Sequence, residues 1–187
     1  MTDIDILRKM IKDSARVEIV VENGKNQVTL IESHPDAKEV KVPIYGLPEE
    51  TIVIKTDSFK SPDSLFKCEN GECKRADFVI IAETNKKKVI ICIEMKVKKD
   101  SEKEIIQQLT GTQCLIMYCQ ALGKTFWKEP DFLKDYVYRF VSIGNISIAK
   151  RKTRFSRTMP KHDRPDKLLK VDWPHHISFN ILAGGES

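Results

Sequence analysis

Val89-Ile90-Ile91-Cys92-Ile93-Glu94-Met95-Lys96-Val97 is apolar and β-branched enough to be a buried strand, yet it carries a carboxylate and an ammonium two residues apart. Side chains alternate along a strand, so Glu94 and Lys96 share a face, roughly 7 Å apart. Burying charge costs several kcal/mol unless it is compensated. The bland readings are a buried salt bridge or an edge strand whose charges reach water. The functional reading is a site, and the preceding residues favour it.

Residues 77–83 form a second strand-like run, joined to 88–97 by Thr84-Asn85-Lys86-Lys87, a polar link of hairpin length. If Glu83 faces Lys88, paired positions sum to 171, and Asp77 falls opposite Glu94. One face then gathers Asp77, Glu94 and Lys96. Two carboxylates with Cβ atoms about 5 Å apart repel unless a cation lies between them. A hard divalent ion meets that need, because Mg²⁺ takes one or two carboxylates and completes its shell with water and phosphate. A metal beside an ammonium has the parts for phosphodiester hydrolysis.

At these residues the chain resembles the PD-(D/E)XK nuclease superfamily, in which an acid begins one strand and Glu-x-Lys ends the next. Asp77 and Glu94-Met95-Lys96 match that pattern, and Gln107-Gln108-Leu109 lies where the superfamily often carries a Gln, with Gln108 the preferred match. The resemblance spans roughly residues 76–120. Ala76 replaces the Pro of the motif. The true Pro62-Asp63 pair is read as a decoy, since no apolar run follows it. The resemblance implies a restriction-endonuclease-like α/β fold with a mixed central β-sheet flanked by α-helices. It also implies Asp77, Glu94 and the Met95 carbonyl as ligands to Mg²⁺ or Mn²⁺, with Lys96 and Gln108 completing the catalytic set. An early acid is often added in the superfamily, and Asp5, Asp13 and Glu18 are candidates here.

A length of 187 residues with 41% hydrophobic content suits one domain over residues 1–187 with a real core. The acidic, polar opening residues and the lack of a long apolar run lead to the expectation of a soluble, cytoplasmic protein without a membrane partner. Thr2 with Asp5 reads as a capping box opening a helix, and Ser101 with Glu104 opens another that ends near Gly123. Residues 17–22 and 27–32 read as strands around Asn23-Gly24, with further strands at 51–55, 137–143 and 177–182.

Five cysteines are expected to be reduced thiols. Cys68 and Cys73 can supply half of a zinc site, completed by Cys114 and Cys119 or by His175 and His176, although the spacing is incomplete.

The formal charge is +5, and residues 150–170 hold nine Lys or Arg against two Asp. Lys150, Arg151, Lys152, Arg154 and Arg157, interleaved with Phe155 and Ser156, together with Lys161 and Arg164, suit contact with a nucleic-acid backbone rather than only a solvated loop. The expectation is a metal-dependent DNA endonuclease, a homodimer if it cuts both strands at one place. RNA cleavage, a nucleic-acid-binding module without turnover, and a structural zinc protein are the alternatives.

Overall fold

The computed structural model describes residues 1–33, 39–96, 101–144 and 161–185. In chain order these contain helix α1 (Asp3–Met10), strands β1 (Val20–Glu22), β2 (Lys25–Glu32), β3 (Val40–Tyr45), β4 (Glu50–Lys55), β5 (Phe78–Glu83) and β6 (Lys88–Lys96). Helix α2 (Glu102–Phe126), strands β7 (Val137–Gly144), β8 (Leu169–Asp172) and β9 (Ile177–Ser178), and the short helix α3 (Phe179–Leu182) follow. Among the described residues no helix is long and apolar enough to cross a membrane.

The central sheet runs β4-β5-β6-β7-β8. β5 runs antiparallel to its two neighbours β4 and β6, and β7 and β8 continue from β6 in parallel. The β5–β6 register pairs Glu83 with Lys88 and Phe78 with Ile93, so positions sum to 171 as the turn length requires. A parallel neighbour for β6 needs a crossover, which α2 provides between β6 and β7.

Alternation along the central strands sends apolar side chains to both faces, and each face is covered. Ile52, Val79, Ile81, Ile90, Cys92 and Phe140 pack with Ile4 and Leu7 of α1 and Leu109 and Ile116 of α2. On the other face, Ile80, Ile91, Ile93, Val141 and Ile143 pack with Val28, Leu30, Val42 and Ile44. Those last four belong to a second sheet, β1-β2-β3-β9. The α/β class holds, but only one face is covered by the longer helices α1 and α2; the other is covered by the second sheet together with the short α3, because β2 and β3 present alternating apolar residues that need a sheet to cover.

Local signals set the element ends. Thr2 and Asp5 form the reciprocal capping box at α1. Asn23 and Gly24, both at positive φ, make the two-residue turn that pairs Glu22 with Lys25. Ser101 Oγ caps α2 by accepting the Glu104 N–H at 3.2 Å. This helix passes Gly123 and ends at Phe126, because the missing side chain of Gly123 makes room for Phe132: a Cβ there would lie 2.1 Å from Cδ1 of that ring.

The strand expected over 177–182 is confined to Ile177–Ser178 and turns at once into α3. Residues 17–22 are a strand only from Val20 on, while Val17 instead donates to Val53 at 2.9 Å.

Candidate active site

Glu94 lies near the end of β6, on the face covered by α2, and is completely buried. Lys96 Nζ lies 2.7 Å from Glu94 Oε1, and the Lys96 side chain keeps 23% exposure, so it bridges the buried carboxylate and solvent. Apart from that ion pair, neither Glu94 oxygen has a hydrogen-bond donor among the described residues. Asp77 precedes β5, and its Oδ2 accepts the Met95 N–H at 2.7 Å. The three residues singled out from sequence are therefore brought together, with Asp77 fastened across the hairpin to the residue between Glu94 and Lys96.

The backbone at Asp77 is held from two sides. From the end of β4, the Thr56 N–H donates to the Asp77 carbonyl at 2.8 Å, and the Thr56 hydroxyl donates to the Ala76 carbonyl. From α2, Thr112 Oγ1 accepts the Ala76 N–H at 2.7 Å, and the Gln108 carbonyl accepts the same N–H at 3.1 Å. Both threonines are buried. Such close approach of a helix to an incoming chain needs a residue without a side chain, and Gly111 supplies it: a Cβ there would lie 1.8 Å from the Lys74 carbonyl oxygen.

The side chain of Gln108 is half-buried with Oε1 lacking a donor among the described residues, while Gln107 faces away to Lys74 and Asn70. Pro62 and Asp63 sit in a short 3-10 turn, Pro62–Ser64, rather than at a strand entry.

Burial pushes both carboxyls well above the usual carboxylate range. For Asp77, desolvation dominates, the Met95 N–H and the Lys96 charge oppose it, and Glu32 and Asp57 add to the rise. For Glu94, desolvation is again first, the Asp77 charge adds to it, and Lys96 opposes. The acids whose charge bears on this pair are thus Glu32 and Asp57. Of the early acids proposed from sequence, Asp5 caps α1, Asp13 pairs with Arg16, and Glu18 is exposed.

Across the sheet, Glu94 pairs with Ser142 of β7, and Ser142 pairs with Lys170 of β8. Ser142 is buried, and Lys170 Nζ lies 2.8 Å from Glu102 Oε2 at the start of α2. Glu94, Ser142 and Lys170 therefore form one row across β6, β7 and β8, with Asp77 just before the first β5–β6 pair, Phe78 with Ile93. Lys96 pairs with Gly144, where a Cβ would lie 2.8 Å from the Lys96 carbonyl oxygen. No sequence signal pointed to Ser142, Gly144 or Lys170, because parallel pairing is set by no local turn. Thr56 was equally hidden, while Thr112 falls on the inward helical spacing of Ile105, Leu109 and Ile116 and is legible there only as a core position.

Lys150, Arg151, Lys152, Arg154 and Arg157 lie outside the described residues. Lys161 and Arg164 are exposed, with Arg164 2.9 Å from Asp166. The chain leaves β7 at Gly144, beside Lys96.

The cysteine expectation is corrected. Cys68 and Cys73 are joined in a disulfide, because Cys68 and Gly71, both at positive φ, fold the loop back and bring the two Cα atoms to 5.1 Å. The pair is thereby unavailable as zinc ligands. Cys114 is exposed and Cys119 buried, on different sides of α2, and His175 and His176 are exposed.

Among the described residues no group of three or more His, Cys, Asp or Glu is arranged to hold a metal ion. What the site does offer is two carboxylates, one of them buried with oxygens short of donors. That set suits an ion that takes one or two carboxylates and fills its shell with water and backbone oxygen. No family model, no curated protein and no solved structure matches this chain.

Proposed function

We propose that this chain is a metal-dependent endonuclease with a restriction-endonuclease-like core of the PD-(D/E)XK kind, hydrolysing phosphodiester bonds in DNA. The observation that carries this reading is the fully buried Glu94 carboxylate, short of hydrogen-bond donors and set beside Asp77 and Lys96. Lys96 offsets only part of the cost of burying Glu94 beside Asp77, since the Glu94 carboxyl stays raised in spite of it, and a bound cation would offset the remainder.

In this reading Asp77, Glu94 and the Met95 carbonyl hold Mg²⁺ or Mn²⁺. Such an ion supplies positive charge to a phosphoryl oxygen and acidifies a water at neutral pH. Lys96 contributes what its placement allows: a cation near solvent, able to orient an attacking water and stabilise charge developing on phosphate. The Gln108 amide helps hold the site. Thr56 and Thr112 keep Asp77 in place, and the basic residues from Lys150 to Arg164 contact the backbone of the polymer.

The test is incubation of purified protein with supercoiled plasmid and Mg²⁺ or Mn²⁺, beside Lys96→Ala. Wild type should nick or linearise the plasmid, and the variant should be slower by at least about 100-fold. No cleavage with either ion, or equal cleavage by the variant, overturns the assignment.

The direct Lys96–Glu94 ion pair favours a second reading, a nucleic-acid-binding module without turnover, since the lysine partly offsets the carboxylate with no metal present. Retarded migration of DNA or RNA in a gel without metal-dependent cleavage selects it. Substitution of RNA for DNA in the cleavage assay decides the sugar.

A further inference from the structure

The connection between β4 and β5 carries a covalent link close to Asp77. Cys68 and Cys73 are bonded, and both reach the surface in part. Of the other cysteines, Cys92 and Cys119 are buried, and burial pushes both thiols up, away from thiolate reactivity.

The loop is anchored to α2 step by step. Gly71 is buried against Gln107, where a Cβ would lie 2.7 Å from the amide carbon of that side chain. Gln107 Nε2 donates to the Asn70 carbonyl at 3.1 Å. Lys74 Nζ donates to Gln107 Oε1 at 3.2 Å and to Glu104 Oε1 at 3.1 Å. The Lys74 carbonyl abuts Gly111, the Ala76 N–H donates to Thr112, and Asp77 follows. The disulfide closes the small loop that leads directly into this run of contacts.

We propose that Cys68–Cys73 is a reversible thiol–disulfide site whose oxidation state sets how firmly Asp77 is held. Its meaning for catalysis rests on the nuclease reading, but its chemistry does not. In reduction, a thiolate of a small dithiol attacks one sulfur, the Cys68–Cys73 bond breaks and a mixed disulfide forms. The donor's second thiol then displaces it. Two electrons and two protons pass to the cysteines, and the donor leaves as its own disulfide. Oxidation is the reverse, with glutathione disulfide as acceptor. Opening the loop restores chain freedom that the bond had removed, and the packing from Gly71 to Ala76 loosens.

The experiment has two readouts, neither of which measures cleavage. In a Cys114→Ser background, used throughout because that exposed thiol would itself exchange with glutathione, protein treated with glutathione disulfide, denatured and labelled with a maleimide should take up two labels by mass, and four after prior reduction. Amide hydrogen exchange should then show the Ala76 and Met95 N–H groups exchanging roughly tenfold faster after reduction, with β2 and β3 unchanged. The double variant Cys68→Ser with Cys73→Ser should match the reduced protein in either buffer. Four labels after oxidant treatment, equal exchange in both states, or a redox response that survives in the double variant overturns the proposal. A protein that never cuts plasmid yet shows the exchange difference keeps the switch and loses the nuclease reading.

Discussion

Gly111 of α2 abuts the carbonyl oxygen of Lys74 so closely that a Cβ at position 111 would lie 1.8 Å from it. Two effects compete in Gly111→Ala. Helix propensity alone gains about 1 kcal/mol. The collision is with backbone, which cannot swing aside, and overpacking of that kind costs about 1–3 kcal/mol. The clash should win, with a net loss of stability in urea unfolding and looser attachment of Asp77. A variant at least as stable as wild type would mean that the helix and the strand entry do not touch.

Thr112 tests the positioning of Asp77 more gently. Thr112→Val keeps the volume but removes the acceptor for the Ala76 N–H. Because the Gln108 carbonyl shares that N–H, the cost should be near the low end for a buried donor, about 1 kcal/mol. The expected kinetic signature is a fall in kcat with little change in KM, and rescue by Thr112→Ser. Valine and serine variants with equal rates would remove the positioning role.

Stability should respond to pH in the direction opposite to that of ordinary paired carboxylates. Asp77 and Glu94 have pKa values raised by burial, so without metal the folded state holds protons that the unfolded chain releases. Their favourable contribution is complete below the ordinary carboxylate values and is lost as pH rises through the raised ones. Glu94→Gln should therefore gain Tm relative to wild type in metal-free buffer above neutrality, and the gain should fade by about pH 4. Divalent ions require the ionised pair, so their stabilisation of wild type should grow with pH. A pH-independent difference in differential scanning fluorimetry would contradict the raised pKa values.

Nucleic-acid affinity should carry the imprint of the basic segment. If Lys150, Arg151 and Lys152 neutralise phosphates, replacing all three with alanine should flatten the plot of log Kobs against log salt, by about 0.9 for each phosphate left without its cation on duplex DNA. Fluorescence anisotropy over a salt series measures this slope. An unchanged slope would move the interface elsewhere.

The β5–β6 hairpin was legible because its information is short-range. The four-residue link and twofold alternation set the register and with it the meeting of Asp77 and Glu94. The capping box at Thr2, the Ser101 N-cap and the Asn23–Gly24 turn were readable for the same reason. β3 was not, because it contains Pro43 and draws its place from β2 and β9 rather than from local pattern. β8 is a four-residue strand paired in parallel with β7, and nothing in its own residues states that partner. Thr56, Gly111, Thr112 and Ser142 support the site from the end of β4, from α2 and from β7, and no local turn specifies those meetings.

Sequence alone determined which acids and which amine share one end of a strand pair, since turn length and side-chain alternation act over a few residues. Only tertiary structure decided how those groups behave. With β7 alongside and α2 overhead, Glu94 is removed from water, and Thr56 and Thr112 close on the entry to Asp77 from opposite sides. Desolvation and long-range hydrogen bonding depend on which distant surfaces meet, and no local stretch of the chain encodes that meeting.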